Sequence, residues 1–147
     1  MKGARDVINE LKKRGIYVAI VSSGVARFIG SIAHMLKVDD WAANDFSWDE
    51  EGFLSGPAPA MVDSHDKGEM VQKLARINGF NPSKIWTVGD SGTDLSMQIA
   101  GSKFIGFNPA RDRALREFNK ADVPVILEKD LTKIWEIIFS EDFPKED

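Results

Sequence analysis

Apolar residues change their period several times along this chain, and each change predicts an element. Val7, Ile8 and Leu11 form a short stripe in a charged segment that stops at Gly15, as a short amphipathic helix would. Residues 16–21 are then an unbroken apolar run, the pattern of a strand covered on both faces in a parallel sheet. The run ends in Ser22-Ser23-Gly24, a predicted turn, after which Phe28, Ile29, Ile32, Met35 and Leu36 recur at helical spacing. Between Trp41 and Gly56 aromatic and acidic residues alternate around Asp49-Glu50-Glu51-Gly52, which predicts a β-hairpin. Pro57 and Pro59 force an extended connector, and Met70, Val71, Leu74 and Ile77 mark the next helix.

The second half repeats the alternation. A β-rich run over 84–88 ends in Gly89-Asp90, and a helical pattern begins near Leu95; Lys103–Phe107 and 123–127 read as strands, and 111–118 as a helix. Leu131, Ile134, Trp135 and Ile138 make the apolar face of a last helix. Strands alternating with helices predict one doubly wound, Rossmann-like α/β domain with a mostly parallel sheet. It is expected to span residues 1–139, with 140–147 as a frayed acidic tail.

Composition narrows the function classes. A chain of 147 residues, 43% hydrophobic and 29% charged, has the length and balance of one globular domain. Its net charge of −4 lacks the basic excess that nucleic acid or an anionic membrane demands, so neither is an expected partner. With no cysteine there is no disulfide, zinc thiolate or cysteine nucleophile, and a cytoplasmic location is the expectation. Residues 1–14 are charged rather than an apolar signal core, and no run approaches transmembrane length.

The candidate chemistry centres on Val88-Gly89-Asp90-Ser91-Gly92-Thr93-Asp94. Asp90 at a strand end and Asp94 in the first turn of the next helix can converge on one hard cation, or they can simply close a turn and cap a helix. Ser22 and Ser23 admit the same two readings, phosphate binding by a turn or ordinary capping. Lys67 falls near a helix start, where the dipole disfavours a cation and an anion nearby is called for, unless the side chain is merely solvated. His65 and His34 have no evident catalytic partner, and a surface or structural role is the simpler reading.

Three segments together, Val21-Ser22-Ser23-Gly24, Asp66-Lys67-Gly68-Glu69 and Val88-Gly89-Asp90-Ser91-Gly92-Thr93-Asp94-Leu95-Ser96-Met97, resemble the phosphoserine phosphatase branch of the haloacid dehalogenase superfamily in order and spacing. The likeness runs over essentially the whole chain. It implies a magnesium-dependent phosphomonoester hydrolase acting on a small phosphorylated metabolite. By that likeness Ser22 bonds the transferring phosphoryl group with the Ser23 amide and Gly24 beside it, and Lys67 neutralises phosphate and nucleophile. Asp90 ligates Mg²⁺, and Asp94 supports the metal shell directly or through water. Thr93 stands where the branch often has asparagine, which alters the contacts made there.

The chain also departs from the family at its front. The family's nucleophile is the first aspartate of an Asp-x-Asp-x-Thr/Val motif on a central opening strand, and no two aspartates here lie two residues apart. The cap domain that follows that strand in the family is expected to be missing too. The expectation is a truncated or inactive hydrolase with a weakened Mg²⁺ site. A non-catalytic phosphate- or Mg²⁺-binding module, and a phosphatase that recruits Asp63 or Asp66 as nucleophile, are the alternatives. Without its central strand the sheet is expected to close up, with the strands of Ser22 and Asp90 pairing directly, or to be filled by a homodimer partner or an amino-terminal fragment.

Overall fold

The computed structural model describes residues 2–44, 46–48, 54–57, 67–109 and 111–144. The order is α1 (Ala4–Lys13), β1 (Ala19–Val25), α2 (Ala26–Leu36), β2 (Asp40–Asn44), β3 (Phe46–Trp48), β4 (Leu54–Pro57) and α3 (Gly68–Asn78), then β5 (Trp86–Gly89), β6 (Lys103–Phe107), α4 (Asp112–Lys120), β7 (Val125–Ile126) and α5 (Ile134–Phe139). Short 3-10 turns cover Pro82–Lys84, Gly92–Met97 and Leu131–Lys133. All the core strands pair in parallel, β1 with β2, β5 with β6 and β6 with β7, while β3 and β4 form a small antiparallel hairpin.

Helices cover both faces of the β5-β6-β7 sheet, as the doubly wound reading requires. On one face Val7 of α1 and Ile134 and Trp135 of α5 pack with Ile105, Phe107 and Ile126. On the other, Val71 of α3 and Ala114 and Phe118 of α4 pack with Met97, Ile99 and Phe104. The alternation of Phe104 and Ile105 between the two clusters is the period-2 signature of a strand buried on both sides. Gly106 points at α4, where an added Cβ would lie 2.5 Å from the Phe118 ring, so helix and sheet approach closely there.

Several boundaries differ from expectation. Ser22-Ser23-Gly24 lies within β1, which runs on to Val25 through a register shift after Val21, and α2 follows directly. Residues 40–44 form a core strand beside β1, so the hairpin begins only at Phe46; Asp49-Glu50-Glu51-Gly52 lies outside the described residues. The segment after Asp90 is a 3-10 turn over Gly92–Met97 rather than an α-helix. Past Ser140 the chain is held rather than frayed as far as Pro144. Glu141 accepts hydrogen bonds from Arg14 at 2.7 Å and from the Trp135 indole N–H at 3.3 Å, and Phe143 meets the Trp135 ring edge-on at 5.2 Å.

Among the described residues β1 and β5 stay in separate sheets, so direct pairing across the expected gap does not occur. The reason lies in α3, which bridges the two. Met70 packs with Ala42 and Val21 on the first sheet, while Val71 packs with Met97, Ile99 and Phe104 on the second. Drawing β1 onto β5 by one strand spacing of roughly 4.8 Å would pull one of these residues off its partners.

Candidate active site

The site is built where β5 ends and α3 begins. Asp94 is 6% exposed, and both of its oxygens are engaged. Its Oδ1 accepts from Lys67 Nζ at 2.5 Å. Its Oδ2 accepts from the backbone N–H of Asp90 at 3.0 Å, the backbone N–H of Ser91 at 3.2 Å and the Ser91 hydroxyl at 3.2 Å. The carboxylate thereby folds the Asp90–Asp94 loop around itself and docks it to the start of α3. Gly89 makes room for this, since a Cβ there would come within 2.7 Å of Asp94 Cγ and Oδ2.

The anion that Lys67 calls for at its helix start is therefore Asp94. Lys67 has a side chain only 13% exposed and sits just before Gly68 in a near-helical conformation, with φ −70 and ψ −16. Its backbone N–H donates to Ser96 Oγ at 2.8 Å. Thr93, exposed at the loop tip, shares a 2.8 Å hydrogen bond with the Ser91 hydroxyl.

The two acids are shifted in opposite directions. Burial pushes the Asp94 carboxyl up, but the Lys67 ammonium and the amides of Ser91 and Asp90 outweigh it and hold the group below its ordinary value. Burial raises Asp90, and the hydrogen bond and negative charge of Asp94 raise it further, with Lys67 offsetting part of that rise. Asp94 is thus a committed anion, whereas Asp90 is an exposed carboxylate that a cation would favour.

Of the residues singled out from sequence, Lys67, Asp94 and Asp90 come together in one cluster. Ser22 is half-buried in β1 directly after Val21. Val21 packs with Met70 and Val71, one turn into α3 from Lys67, and with Met97 of the Asp94 turn, so the strand carrying Ser22 lies against the same two elements. Ser23 and Gly24 belong to β1 by backbone. Asp63, His65 and Asp66 lie outside the described residues. Ser91 and Ser96 were not assigned roles from sequence. Ser91-x-x-Asp94 has capping-box spacing and was legible, whereas the partner of Ser96 is 29 residues away and left no local signal.

Within the described Asp90–Asp94 loop, Asp90 is the carboxylate not engaged by Lys67 or by the loop amides, which donate to Asp94. Among the described residues no three His, Cys, Asp or Glu side chains gather. That fits a cation held by one carboxylate together with water and substrate oxygens, a common arrangement for Mg²⁺. Nor is any described helix long and apolar enough to cross a membrane.

The parallel-stranded α/β fold thus carries an acid pair beyond the end of β5 and a lysine at the facing start of α3. Residues 1–100 match the family model described as haloacid dehalogenase-like hydrolase, and the chain belongs to that family. It is 35% identical over 93% of its length to the phosphoserine phosphatase of Methanocaldococcus jannaschii. Among solved structures it superposes on a substrate-bound phosphoserine phosphatase complex with a TM-score of 0.80 and 34% identity, covering 93% of this chain and 63% of that one. A phospho-aspartyl intermediate analogue of phosphoserine phosphatase matches with a TM-score of 0.80, 32% identity and the same coverage. The chain spans 63% of the length of the M. jannaschii protein.

Proposed function

We propose that these residues form the phosphate-neutralising half of a phosphoserine phosphatase-like phosphomonoester hydrolase, and that an aspartyl nucleophile must join them from a segment outside the 147 residues. The Lys67–Asp94 pair at 2.5 Å beside Asp90 carries this reading. Phosphoryl transfer is accelerated mainly by positioning and by neutralising charge on the equatorial oxygens. Lys67 would do so with its ammonium, while Ser22 Oγ and the Ser23 amide would donate to the same oxygens. Mg²⁺ would be held by Asp90, with Asp94 acting on it indirectly, and would supply further charge neutralisation. The phospho-aspartyl intermediate analogue named for the related structure supports an aspartate as the attacking group, and that group needs an in-line position on the phosphorus.

The substrate is a small phosphorylated metabolite, and the partner is either an amino-terminal fragment carrying the Asp-x-Asp-x-Thr strand or a second copy of the chain. In support, β1 and β5 leave their facing edges without a shared ladder among the described residues. The test is hydrolysis of p-nitrophenyl phosphate and O-phosphoserine with Mg²⁺. The chain alone is expected to do no better than its denatured form. Adding a separately expressed amino-terminal fragment should bring turnover that Lys67→Ala abolishes. Magnesium-dependent turnover by the pure chain alone, abolished by Asp90→Asn, would overturn the reading.

A further inference from the structure

The Ser96 hydroxyl takes no part in the chemistry above, yet both its hydrogen-bonding capacities are used. It accepts the Lys67 backbone N–H at 2.8 Å and donates to the Thr93 carbonyl at 2.9 Å. The Lys67 amide is one of the donors that a helix start leaves without an internal partner, and here a hydroxyl from a distant segment satisfies it. The Lys67 side chain meanwhile ends on Asp94, two residues before Ser96 on the same turn. One 3-10 turn therefore grips Lys67 by its main chain and by its ammonium.

The two grips do different things. The ion pair alone would fix Nζ but leave the start of α3 free to shift along the loop, because a lysine side chain is long and has many rotamers. Anchoring the main chain at Ser96 removes that freedom. The turn itself is firm, since Asp94 and Met97 are both buried.

We infer that Ser96 is a positioning residue for Lys67, setting the start of α3 over the Asp90–Asp94 turn so that the ammonium stands where a phosphoryl oxygen would meet it. This rests on the reading of Lys67 as the phosphate-neutralising group.

The test is lysine acylation of the full chain by acetic anhydride, read peptide by peptide by mass spectrometry, in the wild type, Ser96→Ala and Ser96→Thr. Lys73, exposed on the same helix, is the internal reference. Ser96→Ala should raise Lys67 labelling about fivefold, the factor one lost hydrogen bond allows, with Lys73 unchanged. Ser96→Thr should restore the protection. Unchanged Lys67 labelling in Ser96→Ala, a parallel rise at Lys73, or failure of threonine to rescue would each overturn the inference. If Ser96→Ala does not fold, amide exchange in the wild type decides: a Lys67 N–H that exchanges as fast as an exposed loop amide overturns it. Phosphate calorimetry separates the underlying reading. If Lys67→Ala leaves inorganic phosphate affinity unchanged while labelling responds to Ser96, the phosphate role of Lys67 fails and the hold of Ser96 on it stands.

Discussion

Asp94 serves the fold and the site at once. Removing one partner of a buried ion pair leaves the other charge uncompensated, so Asp94→Ala should cost about 3 kcal/mol in urea unfolding. The pH dependence follows from its lowered carboxyl. A depressed acid contributes stability that is fully present above its unfolded value, near 3.8, and that is lost as pH falls through the folded value. Asp39, held down by Lys12 and the Val18 amide against its own burial, adds to the same acid limb. Asp94→Asn should therefore flatten that limb without abolishing it, as unfolding midpoints between pH 2 and 6 would show. Asp90 has the opposite sign. Its raised value means that stability falls as pH climbs from about 3.8 through the folded value. Asp90→Asn should thus stabilise the chain at pH 7, and an unfolding midpoint equal to or below that of the wild type would refute this.

At the scale of the element, the β5–turn unit depends on one missing side chain. Gly89→Ala would push a methyl into Asp94, so the loop must open or the strand end must move. The expected loss is about 1–3 kcal/mol, the usual cost of overpacking. Lys67 should become more readily acylated in the same variant. This unit was largely legible in the sequence, because the apolar run, the Gly-Asp break and the Ser91-x-x-Asp94 spacing are all local signals. The 3-10 character of Gly92–Met97 was not. It arises because Asp94 must reach back to the amides of Asp90 and Ser91 while also pairing with Lys67, and because Met97 packs with Val71 of α3; the last two constraints come from outside the segment. In β1 the serines read as a turn by residue type, but pairing with β2 as far as Val25 carries them into the strand.

At the scale of the whole molecule, the described core is two parallel sheets joined through α3 and Val21, with the small β3-β4 hairpin as a separate sheet. Phe104, Ile105, Gly106 and Phe107 of the inner strand β6 are buried, whereas Ala19–Ser22 of β1 are only half-buried, as are Trp86, Val88 and Gly89 of β5. Amide exchange should follow that contrast, with β6 slowest and β1 and β5 faster. If an amino-terminal fragment supplies the strand between them, its addition should slow β1 and β5 selectively. Equal exchange in all three strands, unaltered by the fragment, would count against an open edge at this place. Away from that edge the chain is tied across its ends, with Arg14 stacked at 4.8 Å over the Trp135 ring and paired with Glu141. Trp135 is fully buried in this cluster, and Trp135→Ala should cost about 3–5 kcal/mol.

Periodicity and turn chemistry were enough to identify the α/β class and most of the elements, while Lys67, Asp90 and Asp94 stood out as candidates through the resemblance of their three motifs to the haloacid dehalogenase family. Those are local properties: side-chain period follows from backbone geometry, and acids at strand ends and helix starts are marked by their neighbours in the chain. Tertiary structure alone decided that Asp94 is the counter-ion of Lys67, that Asp90 stays outside that pair, and that the Ser96 hydroxyl accepts the amide at the start of α3. Each of those depends on segments brought together across 27 or 29 residues, or on a choice between two acids of the same type. The one-dimensional pattern places one acid at a strand end and the other at the turn that follows, but only their burial and their partners show which of the two is paired with Lys67.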